Sequence, residues 1–269
     1  MAKPRMSGRD VLLAFLPSRA VSTTSMRLIA AVWAVLALTT WLLSPFRVLP
    51  TPMEVFRALG GLWSQQGLGG ELVTSIDLNV RAVALTAVIA MLLSYLTVIP
   101  AVRPLVAGIS KGRFLGLTGL TLIFTLMVGG GRPLKLTLLV FGMTVFFVTS
   151  MADEVANIPR ERFDHARTMR MGEWRVVWEV VVLGTADRAF DVLRQNAAIG
   201  WMMLTMVEGI SRSEGGVGAM LLNQNKHFHI AEVFAIQLMI LFLGLVQDYA
   251  IGVVKRFLLP YAHLTLERS

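Results

Sequence analysis

Cysteine is absent from all 269 residues, so no disulfide staples the fold and no thiol chemistry is open to it. That absence fits a reducing interior. Charge is scarce as well: Asp, Glu, Lys and Arg make up 16% of the chain, against about 25% in an ordinary soluble domain. No Gly-x-x-x-x-Gly-Lys-Ser/Thr phosphate loop occurs; Gly108-Ile109-Ser110-Lys111-Gly112 brings glycine and lysine together at the wrong spacing. The chain is therefore not expected to hydrolyse ATP itself. Metal ligands are thin too. His227 and His229 flank Phe228 and would share a face on a strand, but no carboxylate or third histidine is close. No metal, no other cofactor and no catalytic constellation is expected.

What the chain has is apolar length. Hydrophobic residues are 55% of it, and the mean hydropathy is +0.66. They gather in blocks without charge at 28–46, 82–102, 114–131 and 136–152. A helix needs roughly 20 apolar residues to cross the hydrocarbon core, and four blocks meet that length, the last one narrowly. In lipid the backbone must satisfy its own hydrogen bonds, so these blocks are expected to be helices. Two shorter blocks follow at 195–207 and 233–247, the second extended through Asp248 to Val254. They read either as two further membrane helices lining something polar or as buried helices of a soluble domain. The first apolar block starts at Leu28 and has no convincing cleavage site after it, so it is read as an anchor rather than a signal peptide.

Six spans place the segments 1–27, 101–113, 152–194 and 255–269 on one side. These hold 18 of the 25 Lys and Arg residues. Cationic loops stay in the cytoplasm, so both termini are expected there. The same bias accounts for the net charge of +8 without nucleic acid, for which no recognition motif is present. The expected architecture is all-α: a polytopic membrane helical bundle of about six transmembrane helices. A basic segment 1–27 precedes a membrane domain 28–259, and a tail 260–269 follows.

Local signals refine this. A short helix is expected at Arg9–Leu16. Thr51 as an N-cap and Pro52 at the first helical position predict another from Pro52 to about Gln65, broken by Gly67, Gly69 and Gly70. The second span should end at Pro100, and the third at Gly129-Gly130-Gly131-Arg132-Pro133. Gly116 and Gly119 are spaced for close helix packing. In the long loop 152–194, Phe163, Ala166, Arg170 and Trp174 recur about one helical turn apart, and Gly172 is placed to break that helix and let a second begin. An ordinary amphipathic helix resting on headgroups would show the same spacing.

The loop resembles the cytoplasmic coupling loop of permease subunits of bacterial ABC importers. That motif runs Glu-Ala-Ala, three residues, Gly, then about nine residues to an aliphatic-x-Leu-Pro. The matching stretch here is Asp164-His165-Ala166, Arg167-Thr168-Met169, then Arg170 in the glycine position, ending at Val182-Leu183 without the proline; Gly172 lies two residues late. Leu49-Pro50-Thr51-Pro52 is similar to the Leu-Pro-x-Pro opening of the nitrate, sulfonate and taurine branch, followed there as here by Thr74-Ser75. Val207-Glu208-Gly209, Gly215-Gly216-Val217-Gly218, Val233-Phe234-Ala235 and Gly244-Leu245-Val246-Gln247-Asp248 resemble its last third. The resemblance covers roughly residues 45–258 and is that of a divergent member.

The resemblance implies a permease that forms a path for a small solute such as nitrate, a sulfonate or taurine, though relatives carry vitamin precursors. It implies separate cytoplasmic ATPase subunits docking at 160–184 within a coupling loop 152–188. It also implies a second permease copy or paralogue, a periplasmic or lipid-anchored solute-binding protein, and the bacterial inner membrane. The expected coupling residues are Asp164, His165, Ala166, Arg170 and Gly172, with Ala166 small where the partner sits and Gly172 at the bend. Expected path residues are the polar groups of the last two spans: Asn196, Thr205, Glu208 and Gln237. Asn196 and Gln237 would serve equally as interhelical glue, and Glu208 as a helix cap or gate contact paired with Arg212 or a neighbour. Trp201, Met202, Met203 and Met206 form a soft apolar wall. A non-transporting membrane scaffold remains an alternative. So does a channel or secondary transporter, which the missing internal repeat disfavours.

Overall fold

The structure is a computed structural model that describes residues 23–43, 48–211 and 214–260. The Arg9–Leu16 segment, Arg212 and the tail from 261 onward lie outside the described residues. Every regular element among the described residues is helical. The chain divides into two compact units, Met1–Arg57 and Ala58–Ser269.

The first unit holds helix α1, Thr23–Leu42, and the start of α2, Pro52–Gln65. The α1 helix turns large apolar side chains outward, among them Val32, Trp33 and Leu36. Trp41 Nε1–H donates to Pro50 O at 3.0 Å and folds the following loop back. The start of α2 follows from a reciprocal cap. The Thr51 N–H donates to the Glu54 carboxylate at 2.8 Å, and the Glu54 N–H donates to Thr51 Oγ1 at 3.4 Å. Pro52 costs nothing at a position whose N–H would be unpaired anyway.

The second unit contains α3 (Leu68–Tyr95), α4 (Arg103–Lys111), α5 (Leu117–Val128), α6 (Arg132–Ala156), α7 (Arg160–Thr168), α8 (Glu173–Val176), α9 (Gly184–Ile210), α10 (Val217–Lys226) and α11 (Ile230–Leu258). Helix α6 is central, packing on α3, α9, α5 and α4, while α9 also packs on α10 and α11. Phe147, Val148 and Met151 of α6 meet Ala90, Val106, Ala189 and Val192 at one end. Leu134 and Leu138 meet Leu117 and Val207 at the other.

Among the described residues, four helices are long and apolar enough to cross a membrane: Thr24–Leu42, Leu68–Val98, Arg132–Ala156 and Ile230–Leu258. The chain is thus a multi-pass membrane protein. Its surface argues the same way. Along α3, Val73, Val80, Val88 and Leu92 are exposed while Ser75, Asn79, Thr86 and Ser94 are buried. Water would favour the reverse; lipid favours apolar side chains outside and polar groups facing the bundle interior.

The expected third span differs from its sequence block. Pro100–Phe114 and Leu117–Val128 form a pair bent by 115° at Leu115–Gly116. Twelve residues of α5 rise only about 18 Å, so the block at 114–131 is a short helix rather than a straight span. Close packing also sits elsewhere than expected. A Cβ on Gly116 or Gly119 would meet open space. On Gly142 it would fall 2.9 Å from Met203 Sδ, and on Gly200 2.9 Å from Met143 Cε, so those two glycines set the approach of α6 to α9. Of the expected breakers after α2, only Gly67 acts as one, at φ 69; Gly69 and Gly70 lie inside α3.

Candidate functional site

Two regions carry the polar chemistry: a buried knot at one end of the bundle and the helical loop 157–183 at the other. The knot forms where α9 stops and the chain turns into α10. Helix α10 opens with N–H groups that have no partner within the helix, and two other helices, α3 and α9, supply the acceptors. Glu71 of α3 accepts from the Gly216 N–H. Ser75 Oγ accepts from the Val217 N–H at 2.8 Å. Glu208 of α9 accepts from the Gly218 N–H at 2.8 Å and from the Ser75 hydroxyl at 2.7 Å. The positive end of α10 favours these carboxylates. Lys135 of α6 donates to Gly215 O at 2.7 Å and lies within electrostatic range of Glu71, Glu208 and Glu214. Lys135 is 2% exposed and Glu208 is fully buried; the expected pairing of Glu208 with Arg212 lies outside the described residues.

Glycine makes the knot possible. Gly215 and Gly216 take φ of 68° and 107°, conformations that cost a residue with a Cβ. A Cβ on Gly218 would fall 2.7 Å from Thr205 Cα, backbone against backbone.

The expected path residues do not converge. Asn196 is buried and its amide donates back to Val192 O at 3.1 Å, on its own helix. Thr205 lies half-buried on a different face of α9 and bonds Met202 O. Gln237 is exposed on α11. Glu208 belongs to the knot. The interhelical bonding is done instead by Gln247, whose Oε1 accepts from Asn79 Nδ2 at 2.8 Å and from Trp201 Nε1 at 2.6 Å. Of the expected apolar wall, Trp201 is buried while Met202 and Met206 are exposed. Asn79 Oδ1, Thr86 Oγ1, Thr144 Oγ1 and Asn196 Oδ1 are buried without a partner among the described residues.

The weak fifth block is a 27-residue helix, α9. Its charges hid it, and each is paired. Arg188 meets Glu154 at 2.6 Å. Arg194 forks onto Asp248 at 2.9 and 2.5 Å, and Lys255 reaches Asp187 and Asp191 at 2.8 Å each. Asp248 therefore does not interrupt the last helix, which runs unbroken to Leu258.

In the loop, α7 ends at Thr168, so Arg170 and Trp174 do not continue its face. The break precedes Gly172. Arg170 takes a left-handed φ of 55°, and Gly172, at φ −67° and ψ 152°, caps the next helix. Arg167 closes the turn by donating to both carboxylate oxygens of Glu173 at 3.1 and 3.2 Å. That hydrogen-bonded pairing holds the Glu173 carboxyl below its ordinary range and the Arg167 guanidinium above its own. Asp164, His165 and Arg170 are exposed. Ala166 is buried within the chain, at 5% exposure. Met169, Trp174, Trp178 and Leu183 are the large apolar groups of the loop left outside. From Glu173 the chain continues through a π-helical stretch, Val177–Leu183, directly into α9, so the loop and the fifth helix are one unbroken helical run. A π-turn inside such a run often marks a functional position.

His227 and His229 bracket Phe228, which takes φ 57° in a turn after α10. Their rings lie 5.9 Å apart, and His229 Nδ1 bonds Gln224 Oε1 at 2.8 Å. No group of three metal-ligating side chains occurs among the described residues. No protein-family model matches the chain, and no curated protein matches it.

Proposed function

We propose that this chain is the membrane-spanning permease subunit of an ABC-type importer for a small solute, driven by separate cytoplasmic ATPase subunits. The observation that carries the reading is Arg170. It fills the glycine position of the coupling-loop motif and adopts φ 55°, the backbone conformation for which glycine is the natural choice. Side chain and backbone thus disagree at one position, as they would where a motif glycine has been replaced on a retained loop geometry.

The unbroken run from Glu173 to Ile210 supplies the mechanism. A push on α7 and the turn at 169–172 passes into α9 as a rigid rod, because no flexible connection intervenes. At its far end α9 is tied by Glu208 to α3 and α10. Force entering at one membrane face is so delivered to a four-helix knot at the other. Trp174, 75% exposed, is the aromatic anchor expected at an ATPase surface.

In this reading the six spans are α1, α3, the bent pair ending in α5, α6, α9 and α11. The 27 residues of α9 reach about 40 Å, enough to cross. Both termini then lie in the cytoplasm, and the membrane is the bacterial inner membrane. A second permease copy and a solute-binding protein complete the assembly, with nitrate, sulfonates and taurine as the substrate class.

Gly172→Trp tests the reading cleanly. A Cβ at Gly172 meets nothing within 4 Å, and its φ is ordinary, so the bulky variant is expected to fold as the parent does. Affinity capture of the detergent-solubilised protein, expressed with the genes beside its own, should recover an ATPase with the parent and lose it with the variant. Recovery of no ATPase with the parent, or unchanged recovery and uptake with the variant, overturns it.

A further inference from the structure

A cleft of about 900 Å³ opens between α4 and α7, beside the coupling loop. Its charge is one-sided. Arg103, Lys111 and Arg113 contribute from the α4 side, and Arg160 and Arg167 from α7, against the carboxylates of Asp153 and Glu173. Three of the five cations are engaged. Arg103 Nε–H donates to Thr97 O at 2.9 Å, Arg113 lies 5.1 Å from the centre of the Phe114 ring, and Arg167 holds Glu173. Lys111 and Arg160 make no ion pair or hydrogen bond among the described residues, and both line the cleft, one from α4 and one from α7. Next in the chain to Arg113 of the cleft, Phe114 and Leu115 are 78% and 55% exposed.

The geometry points to this cleft as a binding site for the phosphate-bearing headgroup of an anionic lipid. Two unpaired cations lining one cleft from different helices suit a doubly contacted phosphate. The exposed Phe114 and Leu115 next to Arg113 suit the acyl chains of the same molecule, which a soluble phosphate compound would leave uncovered. Basic pockets between membrane helices on the cytoplasmic side recognise such headgroups. Because α4 and α7 both line the cleft, a bound headgroup bridges the membrane helices to the loop where the ATPase docks. Lipid occupancy then sets how firmly α7 is held, and with it the coupling. The inference rests on the orientation above, in which this end of the bundle meets the cytoplasmic leaflet.

The test uses the full chain in uncharged detergent, so it needs no ATPase. Dioctanoyl phosphatidylglycerol is titrated against dioctanoyl phosphatidylcholine and glycerol 3-phosphate, with the thermal unfolding midpoint as readout. Phosphatidylglycerol should raise it by about 3–5 °C at ten times its dissociation constant. The Lys111→Gln/Arg160→Gln variant should bind about tenfold more weakly. Arg175→Gln, which removes an exposed charge of the same loop outside the cleft, should bind as the parent does. Equal shifts from phosphatidylcholine, an unchanged double variant, or the full shift from glycerol 3-phosphate alone would each overturn the proposal. So would a shift from a polyglutamate peptide that the lipid fails to displace, which would give the cleft to a protein. The orientation is checked apart from this. With no native cysteine, Ser110→Cys is the sole thiol, and its labelling by a membrane-impermeant maleimide reports which side the cleft faces whether or not lipid binds.

Discussion

Ser75 and Glu208 are 133 positions apart in the chain and 2.7 Å apart in the fold. Their contact joins α3 to α9 and, through the Gly218 N–H on the same carboxylate, to α10. Removing the carboxylate leaves a buried hydroxyl and a buried N–H short of an acceptor. Glu208→Ala should cost about 2–4 kcal/mol, and Ser75→Ala about 1–2 kcal/mol, both read from the unfolding midpoint of the solubilised protein. Glu208→Gln keeps one acceptor and should fall between the parent and Glu208→Ala. A Glu208→Gln protein of parental stability that fails to transport would instead make Glu208 a contact for solute.

Gly218 separates packing from conformational freedom. A Cβ there lies 2.7 Å from Thr205 Cα, and neither backbone can yield cheaply. Gly218→Ala should cost about 1–3 kcal/mol. Gly209→Ala, where the added carbon meets Leu222 Cδ2 at 3.5 Å, should be close to neutral in the same assay.

Arg170 pays for a left-handed backbone with a side chain that gains no partner among the described residues. Arg170→Gly should stabilise the protein by about 0.5–1 kcal/mol, the relief of strain less glycine's extra chain entropy. It should leave uptake by the reconstituted transporter intact. Arg170→Val, β-branched at the same φ, should destabilise it. Loss of uptake in the glycine variant would show that the guanidinium itself meets the partner.

The Arg167–Glu173 pair sets a pH dependence with a definite sign. Glu173 is held below its ordinary value of 4.5, so its contribution is fully present above that value and disappears as pH falls through the lower folded one. Chymotryptic nicking near the turn, divided at each pH by the cleavage rate of a short unstructured peptide so that the protease's own titration cancels, should be constant between about pH 5 and 8 and rise only below about pH 4.5. Glu173→Gln should be nicked faster throughout. Because the pair is exposed, the effect belongs to the loop's local order and not to the global midpoint. A nicking rate that changes near neutrality would assign control to another group.

Legibility in the sequence followed how local each determinant was. The α2 helix was readable to its ends because Thr51, Pro52, Glu54 and Gly67 lie in or beside it. The start of α3 was not, since Glu71, Asp77 and Arg81 broke the apolar block. Those charges are tolerated through partners that sequence proximity does not show: Glu71 meets Gly216, and Asp77 meets Arg132 as well as the nearby Arg81. The same holds for α9, whose four inner charges meet Glu154, Asp248 and Lys255. In the knot, Gly215, Gly216 and Gly218 stood out only through the family resemblance, and nothing beside Lys135 in the sequence points to Gly215, 80 positions further on.

The sequence by itself determined that this chain enters a membrane as helices, because apolar length and an unsatisfiable backbone leave no other arrangement in lipid. It also determined the helix–turn–helix loop, whose signals are all within a few residues of one another. Only the tertiary structure decided which polar residues face which. Glu208, Lys135 and Gln247 became structural ties, and Asn196, Thr205 and Gln237 were sent to separate faces. The physical reason is that a buried charge or amide is stable only against a matching partner, and those partners lie tens of residues away on other helices.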